Sequence, residues 1–183
     1  MTEEKKAVAA DVLSPLPGIR DVFATILETV TGEIASLAKG TGLTGAPLLA
    51  AITEVVTGAV RGAVSMGSDL VPGAKAIVMG IVRGTGATNE EGLKILSHAA
   101  KIVIHHTADR GGNLAAASKG VILGAIASAK TLGMDTAKAA STAAQGALEG
   151  AKEAGSVTVE RVLAALKEPI GGSKVVLPHL LWT

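Results

Sequence analysis

Four side chains able to hold a metal ion or relay a proton fall on one stretch of this sequence. Glu91, His98, His105 and Asp109 follow one another at intervals of seven, seven and four. At about 100° per residue they share one narrow stripe of a helix. Imidazole and carboxylate are suitable donors for a divalent ion and for proton transfer. His98, His105 and Asp109 are therefore the candidate metal ligands. Against this, two turns separate His98 from His105, roughly 10 Å, too far for one shared ion. Lys94 and Lys101 lie beside the stripe and disfavour a cation. The competing reading is the solvated face of an amphipathic helix, and it is the stronger one. His105 with Asp109 needs help from another helix or subunit to complete a site.

Other chemistry has less to work with. Gly84-Thr85-Gly86 lacks the Gly-Lys-Ser/Thr that completes a phosphate loop. No Ser is paired with His and Asp at a spacing that marks a triad. Cysteine is absent, which removes disulfides and thiolate sites. Net charge is +1, with both signs scattered singly, and the aromatics number two, Phe23 and Trp182. Nothing there tracks phosphates or stacks on bases, so nucleic-acid binding is not expected. The sequence predicts a protein that is not an enzyme, with no catalytic residue and no cofactor.

The elements that carry these residues follow from a repeat. Gly58, Gly80, Gly124 and Gly146 lie on one 22-residue register, with Ile102 in the missing slot. Gly62, Gly84, His106, Ser128 and Gly150 follow four residues later, and Gly67, Asn89, Gly111, Gly133 and Gly155 five residues after those. Each unit reads as a helix closed by a glycine turn. Asp69, Asn113 and Asp135 stand where the next helix needs an N-cap. Thr88 with Glu91 predicts a capping box, and Pro47 suits a first turn. Turns this short make sequence neighbours antiparallel. Lys75 with Lys119, and Lys94 with Lys138, add a 44-residue echo that suits a two-helix unit.

A glycine inside a helix costs about 1 kcal/mol against alanine. Placing two on one face is explained by close packing of helix axes. The pairs Gly58/Gly62, Gly80/Gly84, Gly124/Ser128 and Gly146/Gly150 are the candidate packing and self-association residues. The pattern is familiar between membrane helices. Here Arg61, Arg83 and Glu149 sit inside it, which favours helices with a wet edge. Those three and His105 share one repeat position, a solvated ridge. Where Ile102 and His106 replace the small pair, the helix stands further from its neighbour or faces something different.

The expected fold is all-α: tandem antiparallel helices on the 22-residue repeat, forming an α-solenoid or multi-helix bundle packed through Gly and Ala. Residues 1–18 read as a short helix and a linker broken by Ser14-Pro15-Leu16-Pro17-Gly18. Residues 19–168 read as the repeat domain, and 169–183 as an apolar tail. In that tail Leu177, Leu180, Leu181 and Trp182 are candidate partner anchors, unless the tail folds over its own array. The expected function is a structural scaffold or protein-interaction module, forming a homo-oligomer or filament. The alternative is a lipid- or granule-surface protein: the period resembles that of the exchangeable apolipoproteins, in period and composition only. The second alternative is the His/carboxylate metal protein. No signal peptide or conventional spanning helix is evident, with residues 114–129 coming nearest, so a cytoplasmic location is expected.

Overall fold

The computed structural model describes residues 17–65, 69–172 and 175–177. Its elements are α1 (Pro17–Ala35), α2 (Gly45–Ser65), α3 (Leu70–Thr85), α4 (Asn89–Asp109), α5 (Leu114–Leu132), α6 (Thr136–Ala154) and α7 (Ser156–Lys167). A π-helical turn, Ser36–Gly40, extends α1. There is no strand among the described residues, and the all-α expectation holds.

Glycine and a short polar side chain make the turns. Gly133 sits at φ +69°, outside the range comfortable for other residues, and closes α5 through its N–H to the Ala129 carbonyl. Two residues on, the Asp135 carboxylate accepts from the Ala137 and Lys138 amides at 2.9 and 3.0 Å and opens α6. Asn113 caps α5 through the Ala116 amide at 3.0 Å, and Asp69 caps α3 through the Val71 amide at 2.9 Å.

Two local expectations are corrected. The Thr88 side chain makes no capping bond. What differs there is the backbone: Asn89, the first residue of α4, takes a positive φ of 56°, outside the right-handed helical range. Pro17 and Gly18, read as part of a break, already lie in α1. Proline is tolerated at a helix start because its missing N–H has no intrahelical partner there. Residues 1–16 and 66–68 lie outside the described residues.

The closest packing joins helices two apart in sequence: α1 with α3, α3 with α5, and α4 with α6. Two rows result, α1-α3-α5-α7 and α2-α4-α6. Ile34, Ile52, Ile77, Ile81, Leu96, Ile104 and Ile122 are the largest fully buried side chains of the first five helices. In α6 the core is almost wholly alanine, with Ala139, Ala140, Ala143, Ala144, Ala147 and Ala151 buried. A core of such short side chains fills space only if backbones come close.

After α7 the chain turns back over the array. Ile170 and Val175 are buried, and a Cβ on Gly171 would lie 3.0 Å from Leu123 of α5.

Candidate functional site

The small-residue pairs do two different things. In α3, a Cβ on Gly80 would stand 2.8 Å from the Val30 side chain, and one on Gly84 would stand 2.8 Å from the Thr31 carbonyl. In α6, Cβ atoms on Gly146 and Gly150 would overlap the carbonyls of Ser97 and Lys101 in α4. These glycines therefore let one backbone rest on another. The residue order rises together on both partners, so each contact joins parallel helices two apart. A Cβ on Gly124 would stand 3.0 Å from the Lys75 carbonyl in the same way. The sequence reading missed Gly120, one turn earlier, which meets the Val71 carbonyl more tightly still. Its signal was there: Gly120, Gly124 and Ser128 form an unbroken four-residue series. Ser128 is buried with its hydroxyl unpartnered, as is that of Ser118.

Gly58 and Gly62 of α2 differ. Gly58 is exposed, and no described atom lies within 4 Å of a Cβ built on either. They line an open groove of about 290 Å³ between α1 and α2. Thr25, Ile26, Thr29 and Glu33 form its α1 wall, and Glu54, Val55 and Ala59 its α2 wall. The polar end holds two carboxylates, Glu33 and Glu54, and neither forms an ion pair among the described residues. Of the long helices, α2 is the one apolar enough to cross a membrane by length and composition, at mean hydropathy 1.4, yet only 28% of that window is buried. The stretch 114–129, taken as nearest to such a span, lies in the well-buried α5.

At Ile102 and His106 the small pair is lost, and α4 approaches α2 less closely than α6 approaches α4. Histidine bridges the wider gap. His98 Nε2 lies 3.0 Å from the Leu49 carbonyl and 2.8 Å from Thr53 Oγ1. A carbonyl only accepts, so Nε2 carries the proton and donates. His106 Nε2 lies 3.0 Å from Thr57 Oγ1, whose own proton goes to the Thr53 carbonyl at 2.6 Å. His106 therefore donates as well. Burial lowers the pKa of His98, Lys101 lowers it further, and the Leu49 bond opposes both. Burial likewise lowers that of His106, aided by His105, Arg110 and Arg61 and opposed by Asp109.

The predicted stripe is divided between two sides of α4. His98 turns to α2, while His105 Nε2 pairs with Asp109 at 3.3 Å on the outer side. Among the described residues no three His, Asp or Glu side chains converge to hold an ion. His98 spans the α2–α4 gap to a carbonyl two helices away. Of the tail anchors, Leu177 packs partly buried against the chain's own core. Leu180, Leu181 and Trp182 lie outside the described residues.

No protein-family model, no curated protein and no solved structure matches this chain.

Proposed function

We propose that this chain is a non-enzymatic scaffold, a solenoid-like array on the 22-residue period that captures a helix, a second copy's first of all, in the α1–α2 groove. One observation carries the reading. Gly58 and Gly62 stand on the register of Gly80, Gly84, Gly146 and Gly150, each of which seats against a parallel helix, yet among the described residues no helix lies on them. A helical glycine pair costs about 2 kcal/mol in propensity. Close packing offsets that cost elsewhere in the array and would offset it here. The groove is mostly apolar, with Thr25 and Thr29 on its α1 wall, and acidic at one end, which selects a helix with small apolar residues and a basic group at the matching point.

The test is sedimentation of the purified chain over a concentration series, beside Gly58→Leu. Leucine fills the groove and has room to do so without disturbing the array. The expected result is concentration-dependent association that Gly58→Leu weakens at least tenfold. Association indifferent to Gly58→Leu would refute the reading. A second reading, attachment to a lipid surface, draws on the poorly buried apolar α2. The same samples with phospholipid vesicles decide it: co-flotation sensitive to Glu substitutions on α2 but not to Gly58→Leu favours lipid.

A further inference from the structure

We infer that the cleft between the C-terminal halves of α3 and α5 is a binding site for a free short-chain carboxylate, held by Arg83 and Ser128. This site is separate from the α1–α2 groove and independent of the scaffold reading.

The cleft follows from the way α3 and α5 pack. Their backbones touch most closely at Gly120, where a Cβ would overlap the Val71 carbonyl. They are looser at Gly124, where a Cβ would stand 3.0 Å from the Lys75 carbonyl. The next member of this four-residue series is Ser128, which is not glycine. There the seam opens into a cleft of about 80 Å³. Met79, Val82 and Arg83 of α3 form one wall, and Ser128, Thr131 and Leu132 of α5 the other. At roughly 30 Å³ per water-sized group, that space takes a carboxyl group and the first carbons of an alkyl chain.

Charge on both walls selects an anion. Neither α3 nor α5 contains an Asp or Glu, while together they carry Lys75, Arg83, Lys119 and Lys130. Lys119 is paired with Glu168 at 2.8 Å. Arg83 is exposed and forms no ion pair among the described residues. Its guanidinium offers two parallel N–H donors, the match for a carboxylate. Carbonyls at a helix end ordinarily repel an anion. Here the Val82 carbonyl accepts from the Thr85 hydroxyl and the Gly86 N–H, at 3.1 and 3.0 Å. The Ala127 carbonyl accepts from the Thr131 hydroxyl at 3.0 Å. Both are engaged, which weakens that repulsion.

A second donor stands beside the first. Ser128 is only 5% exposed, and its hydroxyl has no partner among the described residues. A buried hydroxyl left without a bond is destabilising. Rotation about one side-chain bond turns it toward an occupant of the cleft. Met79, Val82 and Leu132 supply apolar contact next to these two donors. An alkyl chain uses that contact and inorganic phosphate does not, which makes the ligand a carboxylic acid with a short apolar tail.

The experiment is an NMR titration of the full chain with sodium butyrate. Sodium phosphate, 1-butanol and sodium chloride at matched ionic strength serve as comparisons. The variants are Arg83→Gln, Ser128→Ala and Met79→Ala. The expected result is saturable shifts at the Arg83, Ser128 and Leu132 amides with butyrate, at a Kd on the order of 1 mM. Butanol and chloride produce none. Arg83→Gln weakens butyrate about tenfold or more, and Ser128→Ala about threefold. Met79→Ala enlarges the apolar wall and moves the preference from butyrate to hexanoate, a change that loss of a purely structural contact does not produce. Butyrate shifts that never saturate, or that persist unweakened in Arg83→Gln, overturn the site. Phosphate bound as tightly as butyrate overturns the carboxylate assignment in favour of a general anion site. Butanol bound as tightly as butyrate overturns the role of Arg83 and leaves only an apolar cleft.

Discussion

At the scale of single residues, the space above each glycine decides what a substitution does. Gly146 and Gly32 are both interior to helices, and propensity alone would have alanine stabilise either. Gly146, however, rests on the Ser97 backbone, with the Ser97 carbonyl carbon only 2.8 Å from where a Cβ would sit. A backbone cannot rotate away as a side chain can. Gly146→Ala is therefore expected to lower stability by about 1–3 kcal/mol, the usual range for overpacking. Gly32 is exposed with nothing described within 4 Å. Gly32→Ala should raise stability by about 0.5–1 kcal/mol through helix propensity. Urea denaturation of the two variants beside the parent chain measures both, and equal signs would refute this account of the glycines. The sequence made most of these residues legible because a helical glycine needs a reason, and the spacing of four repeated it. What spacing does not reveal is which pair is covered. Gly58/Gly62 and Gly146/Gly150 look alike as sequence, and only their neighbours separate them.

Between elements, the α2–α4 seam joins its helices by side-chain hydrogen bonds where the α4–α6 seam uses backbone contact. Its strength should follow pH. His98 and His106 have pKa values lowered by burial below the ordinary value near 6.5. The unfolded chain then binds protons more readily than the folded one as pH falls past that value. The stabilisation is complete above about pH 6.5 and is lost as pH drops through the lowered values. The charged groups facing the seam, Lys101, Arg61 and Arg110, act in the same direction, while Asp109 partly opposes them at His106. Stability measured between pH 7.5 and 5.5 should decline, and His98→Gln with His106→Gln should flatten the decline. An unchanged slope in that double variant would remove the histidines from the account. The stripe of Glu91, His98, His105 and Asp109 was visible as a pattern, but the pattern could not say where each ring turns. The i+4 pair His105–Asp109 was legible, being local to one helix. His98 bonding a carbonyl 49 positions away was not, because that depends on the gap left by Ile102 and His106. The N-caps divide likewise: Asp69, Asn113 and Asp135 cap as read, whereas Thr88 does not, beside an Asn89 held at positive φ.

For the whole molecule, what matters is that a stacked array is only as stable as the covers on its ends. The two ends differ here. At one, no described residue covers Gly58 in the groove on α2. At the other, residues 170–172 and 175–177 follow α7 with Ile170 and Val175 buried, Gly171 against α5 and Val176 at 70% exposure. This alternation is that of an extended segment with one face on a core. It means the returning segment acts through packing and not as loose chain. Ile170→Ala should accordingly cost about 2–5 kcal/mol, as for other buried large-to-small changes. Val176→Ala should stay within about 0.5 kcal/mol. Because each helix touches mainly its near neighbours, the damage from Ile170→Ala should also be local. Hydrogen exchange is expected to speed first in α7 and the second half of α5, where Leu123 and Ile126 meet Gly171, while α1 to α3 keep their protection. Equal acceleration in every helix would instead mean that the array folds as one indivisible unit. In that case the open groove at the other end must be held in shape by the same cooperative core, and not by its own local packing.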